Sequence, residues 1–272
     1  MNDPVFLVSG AACGLGQSLV NRLAGLGHRV VATDVDNHRL EEAARLAAWP
    51  MNTVRLVPLD VREPAQWAAA FAVAARAFGG VDVLLHAASH LKAGEAHAAA
   101  AEDVHRHLDV NAKGTAFALQ AAAVHMVPRR QGHVVVFSSL DAFAPRPGLG
   151  LHGAAAAAAR SVALAADLEL RPRGVAVTVV CTATVEAPAD VLGLGAQATD
   201  QAGGPEVSAD VVVDAVLARV LPGRPRELVV PSSRGLAARL ACLSPALCAY
   251  LWNRRERREH GRGTGRVRTH PA

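Results

Sequence analysis

Tyrosine and lysine are almost missing from this chain. Its 272 residues include one tyrosine, Tyr250, and two lysines, Lys92 and Lys113, so 26 of the 28 basic residues are arginine. Any chemistry that needs a tyrosine four residues before a lysine is excluded by that count. Cysteine is scarce too. Cys13, Cys181, Cys242 and Cys248 lack metal-ligand spacing and are too few for a disulfide scaffold, which predicts a reduced, cytoplasmic setting. No run of about 18 uninterrupted apolar residues occurs, so no membrane-spanning helix is predicted. Met1-Asn2-Asp3-Pro4 leads into apolar residues without a basic stretch, and no signal peptide is predicted.

The formal net charge is +4, but it is unevenly placed. Seven arginines between Arg254 and Arg268 face only Glu256 and Glu259, which gives residues 253–272 a charge of +5 and leaves the remaining 252 residues at −1. The body of the chain therefore does not carry the basic surface that nucleic-acid binding requires.

Apolar runs alternate with helical patterns along most of the sequence. Strands are predicted at 5–9, 29–34, 54–59, 81–87, 134–137, 175–181 and 228–230. Helices are predicted at 15–26, 37–48, 64–78, 101–110, 114–127, 151–170 and 209–220, with Pro64 suited to a first helical position and Gly79-Gly80 as a stop. This order implies a single α/β domain over residues 1–235, a doubly wound parallel sheet of about seven strands with helices on both faces. Residues 182–206, rich in Gly, Ala and Pro, read as a lid loop. Leu236, Leu240, Leu243, Leu247 and Leu251 recur at helical spacing in a C-terminal extension, 236–259, ahead of a basic tail, 260–272, expected to be disordered. The extension is expected to cover the core or a neighbouring subunit; contact with a membrane surface is the less favoured reading.

The turn after the first strand reads Ser9-Gly10-Ala11-Ala12-Cys13-Gly14-Leu15-Gly16. Glycines there permit a tight turn and let the backbone approach a pyrophosphate seated on a helix N-terminus. Asp34 ends the second strand, where a carboxylate can accept hydrogen bonds from both ribose hydroxyls and repels a 2′-phosphate; NAD is thus favoured over NADP, with Arg39 the argument for the phosphate. Asp60, in Leu59-Asp60-Val61, suits an adenine amino group or a helix cap before Pro64.

With these motifs the chain resembles the short-chain dehydrogenase/reductase family over roughly residues 4–235. Gly10, Gly14 and Gly16, Asp60-Val61, Asn111 and Ser138-Ser139 fall in the family's order. The resemblance implies a Rossmann-type fold, a nicotinamide cofactor, and an active site of asparagine, serine, tyrosine and lysine. Asn111 and Ser139 match the first two. The tyrosine position, thirteen residues after the serine, is His152, and the lysine position is Ala156. His86-Ala87-Ala88-Ser89 stands for the family's Asn-Asn-Ala-Gly, and Ala187 for the threonine that would hold the carboxamide. Departures cluster at the nicotinamide half while the ADP contacts survive.

Three readings follow. The first is an oxidoreductase acting on a hydrophobic alcohol or ketone, with His152 as acid/base in place of the tyrosine. Histidine titrates near 6.5 unaided, whereas tyrosine near 10 needs a lysine to work at neutral pH. The second is a non-redox cyclase, dehydratase or isomerase, and the third a catalytically inactive NAD-binding homologue. Val191, Leu192, Leu194 and Phe143 suggest a hydrophobic ligand surface. A Ser139–His152 hydrolase pair, completed by Asp141 or Asp167, lacks a nucleophile-elbow pattern. No metal site is predicted: His86, His90, His97, His105 and His107 lack a compact carboxylate set and read as solvated or capping residues. Six alanines, Ala154–Ala159, permit close helix–helix approach, and the resemblance implies a homodimer or homotetramer through that helix; intrinsic helix stability is the plainer reading.

Overall fold

Near-continuous apolar runs belong to strands covered on both faces, and the computed structural model places them there. It describes residues 3–185 and 207–244, with Ala246 and Cys248. Seven parallel strands form one sheet: β1 (Val5–Ser9), β2 (Arg29–Asp34), β3 (Val54–Pro58), β4 (Val83–His86), β5 (Gly132–Ser139), β6 (Val175–Thr182) and β7 (Glu227–Val230), in the order β3-β2-β1-β4-β5-β6-β7. The order reverses between β1 and β4, where Ser9 lies opposite His86. Ligands of such sheets bind beyond the carboxyl ends of the strands at this reversal.

Alternation along each strand splits the core in two. Phe6, Val8, Val30 and Val135 pack on one face with α1 (Gly14–Gly25) and α2 (Asn37–Leu46), and with α7 (Ala209–Ala215). Leu7, Val31, Val134 and Val136 pack on the other with α3 (Pro64–Phe78), α5 (Gly114–Met126) and α6 (Gly150–Leu170). Gly79 ends α3 in the left-handed region, at φ 88°, and Pro64 occupies its first turn. The cap before Pro64 is Glu63, however, and makes no side-chain cap bond; Asp60 does not cap this helix because Arg62 takes its carboxylate.

The helices expected at 101–110 and 114–127 are one continuous run. α4 (Ala101–His107) passes into a π-helical segment, Leu108–Lys113, and then into α5. A second π-helical segment, Val216–Val220, prolongs α7. On α6, fully buried Asp167 accepts hydrogen bonds from Arg171, Arg226 and the Val177 N–H, tying the helix to β6 and the approach to β7. Burial disfavours its charge, but these donors prevail and hold the carboxyl below the usual range.

Beyond β7, α8 (Gly235–Cys242) starts the expected extension, with Leu236, Leu240 and Leu243 exposed. Residues 186–206, most of the segment read as a lid, lie outside the described residues. So do Leu247, Tyr250, Leu251 and the arginine cluster. No helix among the described residues is long and apolar enough to cross a membrane.

Candidate active site

A cleft of about 700 Å³ opens at the carboxyl ends of β1 and β4. One end is walled by Gly10, Gly14, Gly16, Asp34, Asp60 and Val61, the other by Asn111, Ser139 and His152. All nine residues singled out from the sequence thus line one cavity. Leu91, Val110 and Phe137 give its middle an apolar lining. Phe143 does not join them: it is buried, with the Arg160 guanidinium 4.4 Å above its ring.

The glycine turn is sterically closed to larger residues. A Cβ on Gly10, at φ 73°, would stand 2.7 Å from the Ala88 backbone, and one on Gly16 would stand 1.9 Å from the Gly10 carbonyl oxygen. The first amides of α1 therefore meet the cleft directly, as the N-terminus of a helix that suits a phosphate group. Asp34 braces the turn from β2: its Oδ2 accepts from the Ala12 N–H and its Oδ1 from the Asp36 N–H, both at 3.0 Å. Arg39, the argument for a 2′-phosphate, pairs instead with Asp36 at 3.5 Å. Asp60 accepts from Arg62 Nη2 at 2.5 Å, and this guanidinium holds its carboxyl below the usual range. An adenine amino group would have to share the carboxylate with Arg62. Val61 packs beside Gly114 and accepts the Trp67 indole N–H at its carbonyl, 3.0 Å away.

At the other end, Asn111 sits in the π-helical segment and clamps one residue. Its Oδ1 accepts the His90 N–H at 2.7 Å and its Nδ2 donates to the His90 carbonyl at 2.8 Å. The Asn111 carbonyl accepts from Thr115 Oγ1 at 2.6 Å. His152, in the first turn of α6, is buried, and its Nδ1 has no hydrogen-bond partner. Burial pushes the imidazole below its ordinary 6.5; the Asp141 charge and a hydrogen bond with the His90 backbone oppose that, whereas His107 and Arg146 add to it. Ser139 Oγ donates to Asp141 Oδ2 at 3.1 Å and accepts the Asp141 N–H. Neighbouring Ser138 donates to the carbonyl of Ala156.

Sequence reasoning passed over Arg146 and read three interior histidines as solvated or capping. Arg146 clasps the Asp141 carboxylate with Nε and Nη2, a pair five residues apart in a loop that no periodicity marks. His90 stacks edge-on against His107 at 4.8 Å and leaves its buried Nε2 unpartnered; burial lowers its pKa to about 4. His107 is not solvated. It is buried with Nδ1 on the Asp103 carbonyl and Nε2 accepting the Lys92 N–H. His86 is likewise interior, its Nδ1 2.8 Å from Ser9 Oγ and its ring edge-on to Trp67. Burial alone lowers its pKa to about 4. Asp167 lies far along α6, bonded to its arginines, so Asp141 alone accompanies Ser139. No cluster able to hold a metal ion occurs among the described residues. Ala187, Val191, Leu192 and Leu194 fall outside them.

A family model described as short chain dehydrogenase matches residues 4–192. A 3-alpha-(or 20-beta)-hydroxysteroid dehydrogenase of Mycobacterium bovis is 37% identical over 140 residues, 52% of this chain and 53% of that protein. The chain thus spans about half the length of the curated relatives it matches. Among solved structures, a short-chain dehydrogenase from Sphingobium yanoikuyae in complex with NADPH superposes with a TM-score of 0.72 at 23% identity, covering 99% of this chain and 98% of that one. A ribose-5-phosphate isomerase from Brucella melitensis gives the same TM-score at 25% identity, over 84% and 91%.

Proposed function

The chain belongs to the short-chain dehydrogenase family, and from that premise we propose that it is a nicotinamide-dependent oxidoreductase of a hydrophobic alcohol or ketone in which His152 does the work of the family's tyrosine. The observation that carries the reading is the unpartnered Nδ1 of His152, in the wall of the cleft that also holds the glycine turn. The adenosine half of a dinucleotide fits the residues present. The Gly10–Gly16 contact leaves the α1 amides open to a pyrophosphate, and Asp34 suits the ribose hydroxyls of NAD in preference to a 2′-phosphate.

Bound there, the nicotinamide would accept or give a hydride. Every other task falls to this chain. His152, neutral at pH 7 through burial, accepts the hydroxyl proton during oxidation and returns it during reduction. Asn111 holds the His90 backbone in place beside it. Leu91, Val110 and Phe137 offer apolar surface to the substrate, which agrees with the steroid named for the mycobacterial relative. Ala156 leaves the second ribose without an ammonium group, so affinity rests on the ADP half.

Calorimetric titration with NAD and NADH, followed by hydride-transfer assays on hydrophobic alcohols and ketones, tests the proposal. Turnover abolished in His152→Ala supports it. Tight binding without turnover across a broad panel defeats it, as does turnover that ignores the substitution.

A further inference from the structure

Next to His152 lies a charged pair withdrawn from solvent. Asp141 occupies the turn after β5 with 4% of its side chain exposed, and Arg146 is 18% exposed. Arg146 Nε bonds to Oδ1 and Nη2 to Oδ2, at 2.8 Å for the latter, while Ser139 Oγ donates to Oδ2. The first turn of α6 rests on this group. A Cβ on Gly153 would stand 3.1 Å from the Asp141 carbonyl oxygen, so the turn bearing His152 lies tightly against this group. Burying a carboxylate and a guanidinium costs desolvation, and apolar residues of the same volume often serve stability as well. The pair therefore calls for a reason other than stability, and it stands where a proton changes hands.

We propose that Asp141 is a positioning residue for His152: it supplies the counter-charge when the imidazole carries the substrate proton, while Arg146 and Ser139 fix the carboxylate in place. This rests on the acid/base role given to His152 above. During oxidation the substrate O–H bond breaks and its proton joins the imidazole. The electron pair of that bond completes the C=O bond, and the carbon's hydrogen leaves with its own pair for the nicotinamide. The imidazole is then a cation. It faces His107 from α4, His90 from the loop after β4, and Arg146, which oppose its charge, whereas Asp141 and the His90 backbone favour it. Ser139, whose hydroxyl donates to Asp141, serves the carboxylate.

Histidine NMR titration of the full chain reads this without turnover, with the His152 signal assigned by its loss in His152→Gln. Asp141→Asn should move the His152 midpoint down, since the counter-charge goes and Arg146 remains. Arg146→Met should move it up. The double variant, which swaps the ion pair for a neutral one and so guards against loss of the fold, should fall between wild type and Asp141→Asn. Shifts of one sign in both single variants, or a midpoint unmoved by Asp141→Asn, overturn the proposal. Failure of the acid/base reading shows separately, as turnover that survives His152→Ala.

Discussion

Ser139 Oγ donates to Asp141 Oδ2 across 3.1 Å, and the Asp141 N–H returns a bond to the same oxygen. The hydroxyl that family resemblance assigns to a substrate carbonyl is thereby committed within the protein. Two imidazoles at this end, His90 and His152, keep a buried ring nitrogen without a partner, and the first expectation concerns His152. His152→Ala should lower kcat by about a hundred- to ten-thousand-fold, the usual worth of a positioned acid/base. The Kd for NAD should stay unchanged, because the site proposed for the ADP half lies at the opposite end of the cleft. Steady-state assays and calorimetry on the same preparation check both halves of this statement.

In the proposed reading, cofactor choice turns on one carboxylate. Asp34→Asn removes the charge facing the ribose but keeps an acceptor for the Ala12 N–H. The ratio of NADP to NAD affinity should rise at least tenfold, about 1.4 kcal/mol in binding free energy. An unchanged ratio, measured by titration with each dinucleotide, would remove Asp34 from the recognition of the ribose.

The glycine turn gives a steric test. In Gly16→Ala the new Cβ meets the Gly10 carbonyl oxygen at 1.9 Å, so the turn has to move. Overpacking of this kind costs about 1–3 kcal/mol. Urea unfolding should show that loss, and dinucleotide binding should weaken with it.

Acid should unfold the protein through its interior histidines. In the unfolded chain, histidines take up protons near pH 6.5, whereas burial delays this to about 4 for His86 and about 3 for His133 in the folded state. The unfolded chain binds more protons across that interval, so stability falls as pH drops below 6.5, by roughly 1.4 kcal/mol per pH unit for each histidine. His133→Leu should remove one histidine's share of the slope measured by urea unfolding between pH 6.5 and 4.5, leaving the shares of His86, His90 and His152. Its partner Thr178 keeps a bond to the Pro225 carbonyl.

Association should involve the outer faces of α5 and α6. Val124 on α5 is 79% exposed and Leu168 on α6 is 66% exposed, so both offer apolar surface to a second copy. Light scattering should give a dimer or tetramer for the parent chain and a monomer for Val124→Arg/Leu168→Arg. A parent chain that is itself monomeric would sink the idea.

Much of the fold was legible because parallel strands are written as uninterrupted apolar runs. Val5–Ser9 and Arg29–Asp34 form strands over the predicted bounds, and the glycine turn falls between the first strand and the first helix. Boundaries blurred where hydrogen bonding outranks hydropathy: β5 reaches Gly132 and Ser139, whose side chains carry no apolar signal. Asp60 suited a cap by position, yet Arg62 lies two residues away and its guanidinium is the stronger partner. His107 looked solvated because a histidine's two nitrogens can be satisfied inside a fold, and sequence does not show by whom. The Asp141–Arg146 pair was invisible for a similar reason, since its spacing in a proline-bearing loop matches neither a helix nor a strand.

The π-helical segment Leu108–Lys113 makes the chain sensitive to length as well as to chemistry. Such a segment holds one residue more than an α-helical turn would, and each residue rotates the chain about 100° around the helix axis. Deleting a single amino acid there would regularise the helix. Because a π-helical turn takes up one extra residue, the faces on either side would stay in phase and Ala118, Ala122 and Met126 would keep to the sheet. The local backbone that sets Asn111 against His90 would be lost. A lineage carrying this protein could shed a residue in that stretch and keep its core, but the wall of the cleft would change in the same step.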